Sequence, residues 1–301
     1  MKKIFLRPGV RIFSSRYVDH SIGFCNNAYL KMKVILDGYG KMGRLLEIKL
    51  REKGHDVLAA VDPSLTGSGA HASLSTVFYP NLKDALSGKP GKSLKDADVV
   101  IEFSLPNVAP VNLLFLINEK IPVVTGTTGW YDKLPEISKA VDSNVSSLLW
   151  SSNFSLGVNL FYRIACYAAC MADPFKEYDV AGFEAHHNNK ADSPSGTAKT
   201  LVDLVLGQMT RKKKAVFQML ERTPEEDEIH FASLRVGSVP GTHSLIFDSN
   251  ADTIEITHKA RNREGFAAGA VLAAEWLTAE KRTGIFTMDD VLNNVLKELI
   301  K

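Results

Sequence analysis

The short β-branched run Lys33-Val34-Ile35-Leu36 leads straight into Gly38-Tyr39-Gly40-Lys41-Met42-Gly43, and this junction limits the fold more than any other stretch. After it, Met42, Leu45, Leu46 and Leu50 recur at helical spacing and Gly54 stops the helix. Val57-Leu58-Ala59-Ala60-Val61 reads as a second strand with Asp62 at its end. Strand, glycine turn, helix, strand and terminal acid make one βαβ unit. Gly38 and Gly40 let the backbone turn and approach a pyrophosphate, and Gly43 permits close packing of helix on strand. Asp62 is placed to accept hydrogen bonds from ribose hydroxyls, which favours NADH. Pro63 follows it where an arginine would clamp a 2′-phosphate, and Lys41 only partly fills that role. The choice between NADH and NADPH stays open, with the balance toward NADH.

Strand and helix signals keep alternating. Val99–Phe103 and Ile121–Thr125 read as strands with an apolar helix over 108–117 between them, and Ser147-Leu148-Leu149-Trp150 as another strand. Beyond residue 153 the texture changes. A mostly apolar helix from Gly157 to Met171 precedes a strand over 178–184. The helix Ala198 to Met209 presents Ala198, Leu201, Val202, Val205, Leu206 and Met209 on one face. Segments 215–220, 231–239, 243–248 and 253–260 read as strands, and Arg211-Lys212-Lys213-Lys214 as a solvated connection. An Ala-rich helix from Phe266 to about Thr278 and a last one opening at Thr287, with Asp290 in a capping-box arrangement, close the chain. The expected fold is α/β: a Rossmann-type doubly wound parallel sheet plus a second α+β domain with an open mixed sheet.

Charge is unevenly placed. Residues 1–31 carry six basic residues and one acid, so a net charge of +2 overall leaves the remainder at −3. That remainder offers no basic footprint for nucleic acid. No stretch approaches the length of a transmembrane helix. The basic segment lacks sustained periodicity, and its apolar runs are short for a secretory signal. It reads as a disordered or mis-started extension, with translation starting at Met32, and a targeting peptide as the alternative. Cys25, Cys166 and Cys170 make neither a disulfide framework nor a metal-spaced cluster. Cys166 and Cys170 are expected to pack as small hydrophobes, and a reducing, cytoplasmic setting fits.

The chemistry concentrates in Glu184-Ala185-His186-His187-Asn188-Asn189-Lys190-Ala191-Asp192-Ser193-Pro194-Ser195-Gly196-Thr197-Ala198. Two imidazoles and a lysine supply proton-transfer groups and positive charge. The turn Ser195-Gly196-Thr197 opens a helix whose free N–H groups and dipole favour an anion. Together they suggest a site that protonates a substrate while gripping its carboxylate. Adjacent histidines cannot easily share one ion, and no HExxH or CxxC exists, so no metal is expected. Gly126-Thr127-Thr128-Gly129 follows a strand at the carboxyl edge where open α/β sheets bind ligands, fit to meet a nicotinamide carboxamide. Ser151-Ser152-Asn153-Phe154 follows the next strand and borders the same crevice or caps the helix after it.

On these residues the chain closely resembles the 4-hydroxy-tetrahydrodipicolinate (dihydrodipicolinate) reductases of lysine and diaminopimelate synthesis. The family signature E-x-H-H-x-x-K-x-D-x-P-S-G-T-A is met in full over Glu184–Ala198. The glycine loop, Gly126–Gly129, Ser152-Asn153-Phe154-Ser155, Arg235-Val236-Gly237, Gly241-Thr242-His243, and Arg263 with Phe266–Ala270 agree in order, from Met32 to the C-terminus. The resemblance implies a dinucleotide-binding domain over 32–153, completed by helices within 263–301. It also implies a substrate-binding and oligomerisation domain over 154–262 and a homotetramer. It implies hydride transfer from NADH or NADPH to a small dicarboxylate, with His186 as proton donor and His187 beside it. Lys190, Ser195, Gly196 and Thr197 would bind carboxylate. Two residues depart from the family: Asp37 stands at the first glycine of its loop pattern, and Leu105 where some members carry an arginine.

Two other readings compete. One is a related amino-acid dehydrogenase of aspartate type, which the complete signature opposes. The other is a catalytically silent NAD-binding protein, which the intact His186 and Lys190 oppose.

Overall fold

The computed structural model describes residues 31–65, 76–88 and 94–299. The expectations for Cys25 and for the basic N-terminal segment through residue 30 lie outside the described residues. Lys31 is described and pairs with Asp56 at 2.8 Å.

The glycine junction forms as its sequence requires. Strand β1 (Lys33–Asp37) runs into helix α1 (Lys41–Glu52), and β2 (Asp56–Val61) follows. Gly38 has φ +91°, and a Cβ on it would lie 2.3 Å from the Phe103 carbonyl oxygen. Then come β3 (Val77–Tyr79), α2 (Leu82–Ser87), β4 (Val99–Glu102), α3 (Ala109–Asn118), β5 (Val123–Thr125), α4 (Leu134–Asn144) and β6 (Ser147–Trp150). The second half continues with α5 (Leu156–Ala172), β7 (Asp179–His186), α6 (Gly196–Leu206), β8 (Lys214–Val216) and β9 (Glu228–Arg235). It ends with β10 (Thr242–Asp248), β11 (Thr253–Lys259), α7 (Glu264–Ala279), β12 (Gly284–Phe286) and α8 (Met288–Leu299).

Seven strands form an all-parallel sheet in the order β12-β6-β5-β4-β1-β2-β3. The order reverses between β1 and β4, the switch point at which such sheets open a crevice at their carboxyl edge. Both faces are covered, so the strands are nearly continuously apolar. Leu46 and Leu50 of α1, Ala267, Ala270 and Val271 of α7, and Val291 of α8 fill one face. Leu82 and Leu86 of α2, Leu113 and Leu116 of α3, and Ile137 and Val141 of α4 fill the other. The second sheet is mixed, in the order β11-β10-β7-β9-β8, with β10 antiparallel to both neighbours and the remaining pairs parallel. Helices α5 and α6 cover one of its faces through Phe161, Ala165, Leu201, Val202 and Val205.

Four elements were not expected: β3 and β12, three residues each at the two sheet edges, six-residue α2, and α4, whose only buried side chains are Ile137 and Val141. Two expectations are corrected. Lys212 is 3% exposed, not solvated, because its ammonium meets Asp179 (2.5 Å) and the carbonyls of Glu226 and Glu228 (2.8 Å each). Cys170 is exposed on α5 rather than packed, and Cys166 is half-buried.

The last helices return to the parallel sheet. Glu275 of α7, 3% exposed, takes Lys53 at 2.7 Å and His55 at 3.0 Å, clamping α7 to the end of α1. Farther along, α7 lies so close to the loop after β6 that a Cβ on Gly269 would fall 1.8 Å from the Phe154 carbonyl oxygen. No flexible side chain can yield there. Gly269→Ala is therefore expected to cost about 3 kcal/mol or more. Urea unfolding measures this, and a loss below about 1 kcal/mol would contradict the packing.

Candidate active site

Strand register assembles the site. Because residues two apart share a face and directly paired residues share it across strands, Glu184 and His186 of β7 point together. Glu184 is paired with Ser233 on β9 and His243 on β10, His186 with Arg235, and His243 with His258 on β11. One polar row thus crosses four strands. Glu184, fully buried, is its centre. It accepts from the Ser195 N–H (3.0 Å), the Ser195 hydroxyl and the Ser233 hydroxyl (3.0 Å). Arg235 lies at 3.5 Å, His243 Nε2 at 3.4 Å and His186 Nδ1 at 3.5 Å.

Ser195 joins this row to α6. Its hydroxyl caps the helix by accepting from the Ala198 N–H at 3.1 Å, while its own N–H goes to Glu184. Capping holds the first turn in place and leaves Gly196 with open space where a Cβ would be. Arg235 also ties down the preceding turn by donating to the carbonyls of Lys190 and Asp192. The Lys190 ammonium meets Asp192 at 2.6 Å and holds that carboxyl below its ordinary range.

Burial dominates the electrostatics. It pushes the His186 imidazole down to about 4, with His243, Lys190 and Arg235 adding to it and Glu184 opposing. His258 is lowered by burial and by His243. Glu184 goes the other way: burial alone would raise it, but hydrogen bonds from His243, Ser195 and Ser233 hold it below the usual carboxylate range. His186 is therefore neutral near pH 7 in a ring of donors and cations. Its Nδ1, and those of His187 and His258, are buried without a hydrogen-bond partner. Glu184, His186 and His243 have ligand atoms within 4.8 Å of one another, the number a metal site would need. Glu184 already serves serine and arginine donors, however, and the cationic neighbours favour an anion over a divalent cation.

A cavity of about 440 Å³ opens beside the row, lined by Asn153, His186, His187, Thr197, His243, His258 and Arg263 among others. Asn153 comes from the loop after β6 and reaches the Thr197 hydroxyl at 3.4 Å, so the carboxyl edge of the parallel sheet meets the N-terminus of α6 here. Of the expected substrate residues, His186, His187 and Thr197 line the cavity, whereas Ser195, Gly196 and Lys190 do not: Ser195 is the cap of α6, Gly196 its first residue, and Lys190 meets Asp192. Sequence reasoning did not single out His243, His258, Asn262 and Arg263 as lining residues. They lie 57 to 77 positions beyond His186, and only strand pairing brings the two imidazoles back beside it.

The expected dinucleotide residues lie on loops at the carboxyl edge of the parallel sheet, except Lys41, Met42 and Gly43, which open α1. Gly40 caps α1 without a side chain, leaves the first-turn N–H groups bare and has nothing within 4 Å of a built Cβ. Gly43, by contrast, is packed, its Cβ position 2.3 Å from the Gly38 carbonyl oxygen. Lys41 is exposed and Met42 packs on the core. Asp62 accepts from the Tyr39 N–H (3.0 Å) and from the N–H and hydroxyl of Ser64 (2.9 and 2.6 Å), bonds that outweigh its burial and keep its carboxyl low. Thr127 gives its hydroxyl to Glu102 (2.7 Å), while Gly126 is half-buried and Thr128 faces outward. Ser151 bonds the Asn153 carbonyl (2.9 Å), Ser152 is exposed, and Phe154 is buried against Phe103.

Residues 32–154 match the family described as "Dihydrodipicolinate reductase, N-terminus", and residues 157–292 the one described as "Dihydrodipicolinate reductase, C-terminus". A protein of Christiangramia forsetii named 4-hydroxy-tetrahydrodipicolinate reductase is 38% identical over 266 residues, covering 88% of this chain and 100% of the relative. One of the same name from Chromobacterium violaceum is 37% identical over 86% of this chain and 97% of its own length. Among solved structures, the dipicolinate-bound dihydrodipicolinate reductase of Paenisporosarcina shares the fold. Its TM-score is 0.68 at 20% identity, covering 86% of this chain and 98% of that one. Fold, signature and both halves of the match agree: the chain belongs to the dihydrodipicolinate reductase family.

Proposed function

We propose that this protein reduces 4-hydroxy-tetrahydrodipicolinate to tetrahydrodipicolinate in lysine and diaminopimelate synthesis, in the cytoplasm. The observation that carries this reading is the cavity whose lining combines His186, neutral near pH 7, with His187, Arg263 and Thr197 at the N-terminus of α6. A dianion suits that surface, because cations and helix N–H groups are its natural partners. The relatives' name, and the dipicolinate in the Paenisporosarcina structure, support the same substrate class.

A nicotinamide dinucleotide fits the carboxyl edge of the parallel sheet. The empty space over Gly40 and the uncapped first turn of α1 suit its pyrophosphate, and Asp62 its adenine ribose. Gly38 and Gly43 shape the loop, Lys41 and Met42 follow in the helix, and Gly126, Thr127, Thr128 and Ser151 to Phe154 border the nicotinamide end. Loss of the substrate's 4-hydroxyl as water gives the conjugated C=N–C=C system, to which the cofactor, when bound and reduced, would supply a hydride. Asp62 supports NADH as the preferred form, with Lys41 left to meet the extra phosphate of NADPH.

The chain's own residues do the rest. Lys190, the Gly196 and Thr197 N–H groups and the Thr197 hydroxyl hold carboxylate, with Ser195 fixing the helix end that presents them. His187 stands beside them. The arrival of a dianion next to His186 favours its imidazolium, which then delivers the proton to the enamine carbon. Helices α5 and α6 cover one face of the mixed sheet. The other face, with Phe183, Ile246 and Leu234, carries no helix among the described residues, which supports reading it as the surface of a homotetramer.

Nicotinamide absorbance with freshly made 4-hydroxy-tetrahydrodipicolinate tests the reaction. Wild type is expected to oxidise NADH faster than NADPH. His186→Gln should lose about 100-fold or more in turnover while binding NADH within about twofold of wild type. Oxidation that survives unchanged in His186→Gln would remove the proton-donor role, and no oxidation with either cofactor would remove the substrate. Gly40→Ala separates binding from folding. Its φ of −75° suits alanine, so thermal stability should hold while NADH affinity falls about tenfold. Unchanged affinity would move the pyrophosphate elsewhere.

A further inference from the structure

Asp37, the last residue of β1, has no part in the chemistry above. It is 2% exposed. Its register partner on β4 is Glu102, fully buried, and both share the sheet face covered by α3. Glu102 accepts from the N–H and hydroxyl of Ser104 (2.7 and 2.6 Å) and from the hydroxyls of Thr125 and Thr127. Among the described residues Asp37 has one side-chain donor, the Asn112 amide of α3 at 2.8 Å. The groups facing it are Glu102 from β4, Asp62 from the end of β2 and Asn112 from α3, and no cation pairs with it among the described residues. Burial first, then the charge of Glu102, push its carboxyl up to about 7, with Asn112 opposing.

Directly after this acid come Gly38 and the bare first turn of α1. Two phosphates arriving at that turn would add negative charge beside a group that already shares its surroundings with two other carboxyls. We propose that Asp37 is a further determinant of dinucleotide affinity: protonated, it leaves the positive end of α1 to the ligand's phosphates, and ionised, it opposes them. The inference rests on the reading of the glycine loop as the pyrophosphate site.

NADH is the probe, since its charges stay constant over the range, whereas the 2′-phosphate of NADPH titrates. Fluorescence titration of the full chain from about pH 6 to about pH 8.5 should show Kd rising about fivefold in wild type and staying within about twofold in Asp37→Asn. Asn112→Ala removes the one side-chain donor that favours the ionised acid and should move the wild-type midpoint upward. Unliganded stability gives an independent reading. The folded chain keeps a proton that the unfolded chain releases, so wild type loses stability as pH rises from the carboxylate range through about 7. Asp37→Asn should lack that decline. The same pH dependence of Kd in Asp37→Asn as in wild type, or an unmoved midpoint in Asn112→Ala, overturns the inference alone. Failure of every protein to bind NADH at any pH overturns the glycine-loop reading and this inference with it.

Discussion

A single buried carboxylate, Glu184, holds the site together. It is fully buried and would be costly there without compensation. Compensation arrives from strands β9 and β10 and from the cap of α6, through Ser233, Arg235, His243 and Ser195. Three of these groups have a second task. Ser195 caps the helix that presents Thr197, Arg235 fixes the turn carrying Lys190, and His243 lines the cavity. Removing the carboxylate would strand several donors at once, so the site behaves as one network rather than as separate contacts.

The two sheets have different duties, and the loop after β6 links them. Asn153 faces Thr197 at the cavity, while the next residue, Phe154, is buried beside Phe103 and pressed by α7 at Gly269. Packing that holds the parallel sheet together therefore also places one wall of the cavity. The C-terminal helices, distant in sequence from the glycine loop, become part of what positions the cavity wall.

Periodic segments were legible in the sequence because burial imposes the period. The βαβ unit around Gly38–Gly43 and the apolar face of α6 both follow from residue spacing. Strands β3 and β12 were not, since three residues at a sheet edge carry no readable period. The signature marked His186, Lys190 and the α6 N-terminus as chemistry, yet gave no hint that Glu184 would be their anchor, because its partners come from strands β9 and β10. His258 was invisible for the same reason: its place depends on β10 and β11 pairing in one register. Lys212 looked solvated because a run of four charges conceals the one ammonium that has buried acceptors.

The central claim is that burial, helped by His243, Lys190 and Arg235 and opposed by Glu184, keeps His186 neutral until a dianion arrives. Proton uptake on binding tests it most directly. Calorimetric titration with pyridine-2,6-dicarboxylate in buffers of different ionisation enthalpy, near about pH 6.5, counts the protons taken up. His186 sits at about 4 in the free protein, so it starts without a proton, and a neighbouring dianion raises it. The account predicts an uptake approaching one proton per ligand in wild type that disappears in His186→Gln. Tight binding with no proton taken up, or the same uptake in His186→Gln, would contradict it.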